Sequence, residues 1–179
     1  MNIIKQILGE DIPGSEDTDV TGDEFLQSGP LTIDHGNGIT QVFDSDGNER
    51  WYQNGQRHRD GDKPAVIHSD GTQYWYRNGK RHRDGDLPAI ISSYGSKYWY
   101  RNDKQHRDGD KPASINANGD KFWYRNDELH RDGDKPAAIY SDGTQYWFRD
   151  GKQHRDGDKP AVIYADASKE YWVNSRRIR

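Results

Sequence analysis

The sequence predicts an all-β protein, built as an elongated array of antiparallel β-hairpin repeats. A 24-residue unit is written five times, and each copy contains His-Arg-Asp-Gly-Asp, at residues 58–62, 82–86, 106–110, 130–134 and 154–158. A Trp stands seven residues before each His, at Trp51, Trp75, Trp99, Trp123 and Trp147. Asn-Gly and Asp-Gly pairs, which favour tight hairpin turns, separate the short segments. A fixed period of this length is typical of an array in which one supersecondary unit stacks on the next.

An acidic extension, residues 1–30, precedes the array. Within it, the apolar residues of segment 2–8 have helical spacing, which predicts a short helix. Residues 10–24 are acidic and are interrupted by proline and glycine, so they indicate a linker or an arm that faces a partner.

The ends of the array depart from the repeated unit. Residues 31–50 predict a capping hairpin around a Gly-Asn-Gly turn, and the five units occupy residues 51–169. Residues 170–179 form a C-terminal cap, in which Trp172 follows the previous Trp by 25 residues instead of 24. Atypical terminal units are expected in a repeat array because their outer sides meet solvent.

The turns of the second unit predict how its strands pair. If residues 70–71, Asp-Gly, form a two-residue type I′ turn, Ile67 lies opposite Tyr74 and Val66 lies opposite Trp75. The Asn-Gly turn that follows predicts two further pairs, Tyr76 with Arg81 and Trp75 with His82. The Asp-Gly-Asp-x-Pro segment between units cannot continue a central ladder, so the chain either extends one meander or turns into a second layer there.

This register divides the unit into two faces. Ala65, Ile67, Tyr74 and Tyr76 lie on the first face, and Val66, His68, Trp75 and His82 lie on the second. Across the five copies the Ala and Ile positions do not change, whereas the His68 position becomes Ser, Asn, Tyr and Tyr. Because a buried position would not accept Ser and Tyr interchangeably, the first face is the predicted core and the second the predicted exposed surface.

Composition limits the class of protein. The net charge is −4, but residues 1–50 carry 2 basic and 11 acidic residues, whereas residues 51–179 carry 24 basic and 19 acidic residues. This weak excess of base is far from the dense basicity of a nucleic-acid binder. The chain has no cysteine, no apolar run long enough to span a membrane and no signal-peptide pattern at its start. A cytoplasmic protein is therefore expected.

The hairpin with the sequence Tyr-Trp-Tyr-Arg-Asn-Gly-Lys, residues 74–80, and its equivalents resemble MORN repeats of the variant type. The His-Arg-Asp-Gly-Asp-x-Pro-Ala tail resembles repeats in proteins of large DNA viruses, phages and bacteria. The resemblance covers residues 49–179 and departs from the standard MORN pattern in its glycine positions and in the whole tail. It implies a hairpin array that serves in scaffolding, protein binding or lipid contact, without one shared activity.

The predicted exposed face supplies the candidate binding residues. They are Trp75, His82, Trp99, His106, Trp123, His130, Trp147, His154, His68, Tyr140 and Tyr164. Rows of Trp and His at regular steps could contact a partner, although cross-strand pairing alone would also explain their period.

The acidic and imidazole groups of the repeated segment could instead bind a metal ion. His58, Asp60 and Asp62 offer one nitrogen and two carboxylates, but their spacing matches neither a calcium loop nor a zinc motif. The favoured alternative is structural: Asp60 caps a turn, Gly61 adopts a positive φ, and Asp62 pairs with an Arg of a neighbouring unit. No metal or other cofactor is therefore expected.

These patterns favour a non-enzymatic protein that binds another protein, through the Trp/His face or through residues 1–30. Five equal copies indicate a lattice of contacts, since no nucleophile stands beside a base. The resemblance adds a setting, a viral or phage protein that inhibits a host defence factor. The first alternative is nucleic-acid or nucleotide binding through the Arg, Trp and His rows. The second is a structural component that forms homo-oligomers through its sheet edges.

Overall fold

The fold was analysed in a computed structural model that describes residues 29–179. The predicted helix in residues 2–8 and nearly all of the acidic extension lie outside these residues. Everywhere else the secondary structure is β, which confirms the predicted all-β class. Residues 29–179 contain no helix long and apolar enough to cross a membrane.

Four strands form the N-terminal part, and each following unit adds four strands of two residues. The N-terminal strands are β1 (Leu31–Gly36), β2 (Ile39–Phe43), β3 (Glu49–Gln53) and β4 (Gln56–Arg57). The others are β5 (Val66–Ile67), β6 (Gln73–Tyr74), β7 (Tyr76–Arg77), β8 (Lys80–Arg81), β9 (Ile90–Ile91), β10 (Lys97–Tyr98), β11 (Tyr100–Arg101), β12 (Lys104–Gln105), β13 (Ser114–Ile115), β14 (Lys121–Phe122), β15 (Tyr124–Arg125), β16 (Glu128–Leu129), β17 (Ala138–Ile139), β18 (Gln145–Tyr146), β19 (Phe148–Arg149), β20 (Lys152–Gln153), β21 (Val162–Ile163), β22 (Lys169–Glu170), β23 (Trp172–Val173) and β24 (Arg176–Arg177).

One long antiparallel sheet runs through the array. Its strand order is β1-β2-β3-β5-β6-β9-β10-β13-β14-β17-β18-β21-β22, with β4 paired to β3. The chain thus returns to the same sheet in every unit, but it leaves that sheet for a separate hairpin between β6 and β9 and at the equivalent places, so neither arrangement that the sequence left open describes it alone. β1 and β22 are its edge strands, and the expected homo-oligomer through these edges stays a prediction.

A row of small hairpins, the ribbons, stands beside this sheet. They are the pairs β7-β8, β11-β12, β15-β16, β19-β20 and β23-β24. In the first ribbon Asn78 and Gly79 both have positive φ, 50° and 77°, and Tyr76 pairs with Arg81. This confirms the predicted type I′ turn and its register. Neighbouring ribbons are joined by backbone bonds such as the one from Asp103 N–H to the Arg81 carbonyl (3.0 Å).

The predicted register across residues 70–71 is wrong by one residue. Val66 pairs with Tyr74, because the loop contains three residues instead of two. His68 N–H donates to the Thr72 carbonyl, Gly71 N–H donates to the His68 carbonyl, and only Gly71 has a positive φ, 89°. This is a type I turn followed by a left-handed glycine, the usual three-residue hairpin loop. An Asp-Gly pair is compatible with both loops, and the sequence did not distinguish them.

A shift of one residue moves every side chain to the other side of a strand, so the predicted faces were also wrong. Trp75, predicted to be exposed, is 6% exposed, and Val66 is 4% exposed. Tyr74, predicted to lie in the core, is only half-buried. Ala65 is fully buried, as predicted. The core is therefore a column of Ala and Trp side chains, extended by the Val66 position.

The C-terminal cap keeps the 24-residue frame, which corrects the expected insertion before Trp172. Tyr171 takes the Trp position, because its carbonyl accepts from Ile178 N–H as the Trp75 carbonyl accepts from His82 N–H. The guanidinium of Arg179 then lies over the Tyr171 ring at 4.3 Å. Residues 171–179 thus follow the frame of residues 75–83, with Tyr171 in place of Trp and Ile178 in place of His.

Candidate binding surfaces

The Trp row is covered by the arginine of the repeated segment. In the second unit the Arg83 guanidinium carbon lies 3.8 Å from the centre of the Trp75 ring. The distance is the same for the next three units, and it is 4.1 Å for Arg59 over Trp51. A cation over an indole face is a favourable stack, and here it also shields the ring from solvent.

The same arginine joins each unit to the one before it. Arg83 Nε and one terminal nitrogen donate to the two carboxylate oxygens of Asp62 at 2.7 and 2.9 Å. Its other terminal nitrogen donates to the Pro88 carbonyl at 3.3 Å. This bidentate pair recurs from Arg107 to Asp86, from Arg131 to Asp110 and from Arg155 to Asp134. The predicted pairing of Asp62 with an Arg of a neighbouring unit is confirmed.

We call this Arg–Asp pair between neighbouring units the latch. In the later units a lysine adds a further hydrogen bond to the latch aspartate. Lys111 donates to Asp86 at 2.7 Å, and Lys159 donates to Asp134 at 2.7 Å. Hydrogen bonds from Arg155 and then from Lys159 lower the pKa of Asp134 to about 2. Asp62 has Leu87 where the others have lysine, and its pKa is lowered chiefly by Arg83 alone. These carboxylates are ionised latch groups at neutral pH.

The histidines form a second link between units. His82 Nε2 lies 2.9 Å from Asp84, and its Nδ1 accepts from Asn102 N–H, in the turn of the next ribbon, at 3.4 Å. His58, His130 and His154 make the same pair of contacts. Since Nδ1 accepts, Nε2 carries the proton of the neutral ring. The pKa of His106 is lowered by burial and by nearby arginines, which favours this neutral form.

A third link lies at the turns of the sheet. Thr72 Oγ1 accepts from the N–H of Ser93, in the next unit, at 3.1 Å. Asn48, Ser96, Asp120 and Thr144 supply the equivalent side-chain oxygen to the turns that follow them. The first two links use side chains that repeat without change, whereas the third uses Asn, Thr, Ser or Asp, each of which offers a side-chain oxygen.

The three groups of the proposed metal site, His58, Asp60 and Asp62, do not converge on one point. His58 bonds to Asp60 at 3.0 Å, whereas Asp62 is held by Arg83 of the next unit. Gly61 has the predicted positive φ, 73°, and the φ of Asp62 is also positive, at 54°. Within residues 29–179 no cluster of three or more His, Cys, Asp or Glu has the arrangement of a metal site.

Open grooves separate consecutive repeated segments. The groove between residues 106–111 and 130–135 has a volume of about 480 Å³, and the next one has about 240 Å³. Their walls carry arginines and lysines, together with the carboxylates that neutralise them. The paired charges make this surface polar without a strong net field.

The opposite surface carries a row of aromatic residues, which we call the aromatic face. Its members on the sheet are Tyr74, Tyr98, Phe122 and Tyr146, and those on the ribbons are Tyr76, Tyr100, Tyr124 and Phe148. All eight are half-buried. The variable positions His68, Ser92, Asn116, Tyr140 and Tyr164 complete the face, since the His68 ring lies 5.2 Å from the Tyr74 ring and Tyr140 contacts its neighbours in the same way.

The aromatic face is most apolar in the last two units. Tyr140 packs edge-on against Phe122 and Tyr146, each with ring centres 5.5 Å apart. Tyr146 also lies 6.4 Å from Phe148 and 6.2 Å from Tyr164. These five residues, the aromatic cluster, are continuous, and Tyr140 remains 38% exposed. Ser92 and Asn116 take the place of Tyr140 in the two preceding copies of this position.

The structure divides the predicted site residues into two groups. The four Trp of the second to fifth units are buried, and their His partners are largely enclosed between units, so neither row is an open surface. His68, Tyr140 and Tyr164 lie on the aromatic face and are accessible. Sequence reasoning missed the tyrosines of the strands, because the shifted register placed them inside. The constant spacing of eight residues from Trp to Arg was the available signal for the buried stack.

No protein-family model matches the chain, and no curated protein is significantly similar to it. The resemblance to MORN repeats stays a prediction.

Proposed function

We propose that the array is a non-enzymatic module that binds another protein through its aromatic face. The observation that carries the proposal is the aromatic cluster in the last two units. Tyr and Phe are enriched at the centres of protein interfaces, because they bury a large area at a small cost in side-chain entropy. Five such rings joined by successive contacts, with Tyr140 38% exposed, have the composition of an interface core.

The repeat provides the frame for this surface. Its unchanged residues are used in links between units, whereas the His68 position changes from unit to unit on an accessible face. A rigid scaffold that displays variable side chains is suited to recognition. The alternative of nucleic-acid binding has less support, because the Trp rings are covered and the repeated arginines are already paired with aspartates.

The setting we propose is that of a viral or phage protein that inhibits a host defence factor. This step rests on the resemblance of the repeated tail to viral and phage repeats. An affinity capture from host cells by the full chain, followed by mass spectrometry, identifies the candidate partner. Direct titration with the purified candidate then gives the Kd.

The decisive variant is Tyr140→Ser combined with Tyr164→Ser, which gives the last two units the residue of Ser92. We expect the Kd for the captured partner to rise more than tenfold, because Tyr residues at interface centres are frequent hot spots. Tyr94→Ser is the comparison variant, since Tyr94 is 85% exposed and lies beside Ser92 and Tyr98, outside the cluster, so a smaller rise in Kd there assigns the contact to the cluster. An unchanged Kd for the double variant, with an unchanged melting temperature, would contradict the proposed surface.

A further inference from the structure

One peptide segment of the array folds in two ways. The octapeptide His-Arg-Asp-Gly-Asp-Lys-Pro-Ala occurs at residues 58–65, 106–113, 130–137 and 154–161. In three copies its second Asp has a positive φ, at Asp62, Asp134 and Asp158. Asp110 does not, and there Lys111 N–H donates to the Gly109 carbonyl at 2.7 Å. Because the four segments are identical, both backbone conformations are accessible to the same sequence.

The difference removes an acceptor from a buried indole. Trp75, Trp99 and Trp147 each donate Nε1–H to the carbonyl of the Asp thirteen residues earlier, at 3.0–3.2 Å. The equivalent acceptor of Trp123 would be the Asp110 carbonyl. Among residues 29–179, Trp123 Nε1 and His106 Nδ1 are the two buried side-chain polar atoms that have no protein partner. Both belong to the junction between the third and fourth copies of the segment.

The rest of this junction is regular. Arg131 still binds Asp110 through two hydrogen bonds and still lies 3.8 Å above the Trp123 ring. Asp127 N–H still donates to the Gln105 carbonyl at 3.0 Å. The change therefore affects the loop at residues 109–111, the Trp123 indole and the link from His106 to the turn of the next ribbon.

The two conformations have opposing costs of similar size. The regular one holds a non-glycine residue at positive φ, which is strained, and the other leaves a buried N–H without an acceptor. We propose that the loop at residues 109–111 is a two-state element that opens and closes by a peptide flip. In the closed state the Asp110 carbonyl accepts from Trp123, as at the other junctions. In the open state, seen here, Trp123 Nε1–H has no acceptor.

Because of this two-state loop, the junction after residue 110 should have the lowest free energy of local opening in the array. Its neighbours keep both the indole and the imidazole hydrogen bonds, whereas this junction lacks both. Local opening free energies follow such differences in hydrogen bonding. The inference is independent of the proposed binding function.

The test is the exchange of the indole N–H protons with water, followed by NMR on the full chain. Trp123 should exchange at least tenfold faster than Trp75, Trp99 and Trp147. Asp110→Gly removes the cost of positive φ, so it should favour the closed state and slow Trp123 towards the rate of Trp147. Asp134→Gly is the matched control, since it removes the same latch carboxylate where the loop is already closed, and Trp147 should keep its rate.

Two results would overturn the proposal. One is slow exchange of Trp123 in the unsubstituted chain, at the rate of the other indoles. The other is fast exchange of Trp123 that Asp110→Gly leaves unchanged relative to the control. The first measurement needs no variant, so the test does not depend on how well the substituted chains fold.

Discussion

The two sides of each repeat differ in what their side chains contact. On the side of the repeated segment, Arg83, Asp62 and His82 are bonded to the preceding or following unit. On the aromatic face, the His68 position varies and its side chains remain accessible in every unit. The constant residues therefore set the stacking of units, and the variable ones are left for recognition. Four substitutions break or sharpen this comparison.

The largest change in the free energy of unfolding is expected at Trp147, which is buried and directly follows Tyr146 of the aromatic face. Trp147→Ala should reduce the free energy of unfolding by about 3–5 kcal/mol, because it removes a large buried ring and leaves a cavity beneath Arg155. The neighbouring Tyr146→Ala should cost clearly less, since that ring is half-exposed. Urea unfolding of both variants measures the difference. Equal losses would show that the aromatic face contributes to stability as much as the Trp column.

Replacing the latch arginine Arg155 by lysine, which has the same charge but a different shape, should lower the stability of the folded chain. Arg155→Lys keeps the positive charge but loses the planar fork that binds both oxygens of Asp134. We expect a loss of about 1–2 kcal/mol, discounted from the usual value for a charged hydrogen-bonded pair because Asp134 is partly open to solvent. Arg149→Lys, at an exposed ion pair, should leave the unfolding midpoint unchanged. A similar midpoint shift in both variants would argue against the latch.

The fold class, the type I′ turn at residues 78–79 and the Arg–Asp link between units were predictable from the sequence, whereas the type I′ turn at residues 70–71 was predicted wrongly. Period and turn chemistry are local properties, and Asn78 and Gly79 both adopt the positive φ that a type I′ turn needs. The burial of Trp75 was not predictable in the same way, because it depends on whether Asp70 adopts a positive φ. It does not, since the three-residue loop places only Gly71 there. A single torsion angle thus decided which face held the Trp, and with it the candidate site.

The three-residue loop can be tested at its one atypical copy. Ala167 stands where Gly71 and Gly143 stand in other units, and it has a φ of 66°. Ala167→Gly should therefore stabilise the chain by about 0.5–1 kcal/mol, because glycine adopts this region without strain. Gly143→Ala is the converse control and should destabilise it, since Gly143 has a φ of 92°. A stabilising effect of Gly143→Ala would contradict the loop assignment.

The smallest effect concerns the latch that lacks a lysine. Asp62 is held by Arg83, and Leu87 occupies the position from which Lys111 and Lys159 reach Asp86 and Asp134. Leu87→Lys should stabilise the chain at pH 7 by about 0.2–0.5 kcal/mol, since an added ion pair at an exposed site is worth little.

The pH dependence of this gain identifies its origin. The added ammonium should lower the pKa of Asp62 further, and a folded-state pKa below the unfolded one contributes stability above the unfolded pKa. That stability is lost as the pH falls through the folded-state pKa, so unfolding midpoints of the variant and the parent should converge in strong acid. Lys159→Leu, measured in parallel, should show the reverse difference at pH 7 and the same convergence. A gain from Leu87→Lys that persists unchanged in strong acid would instead assign it to packing, and the lysine would then be no part of the latch.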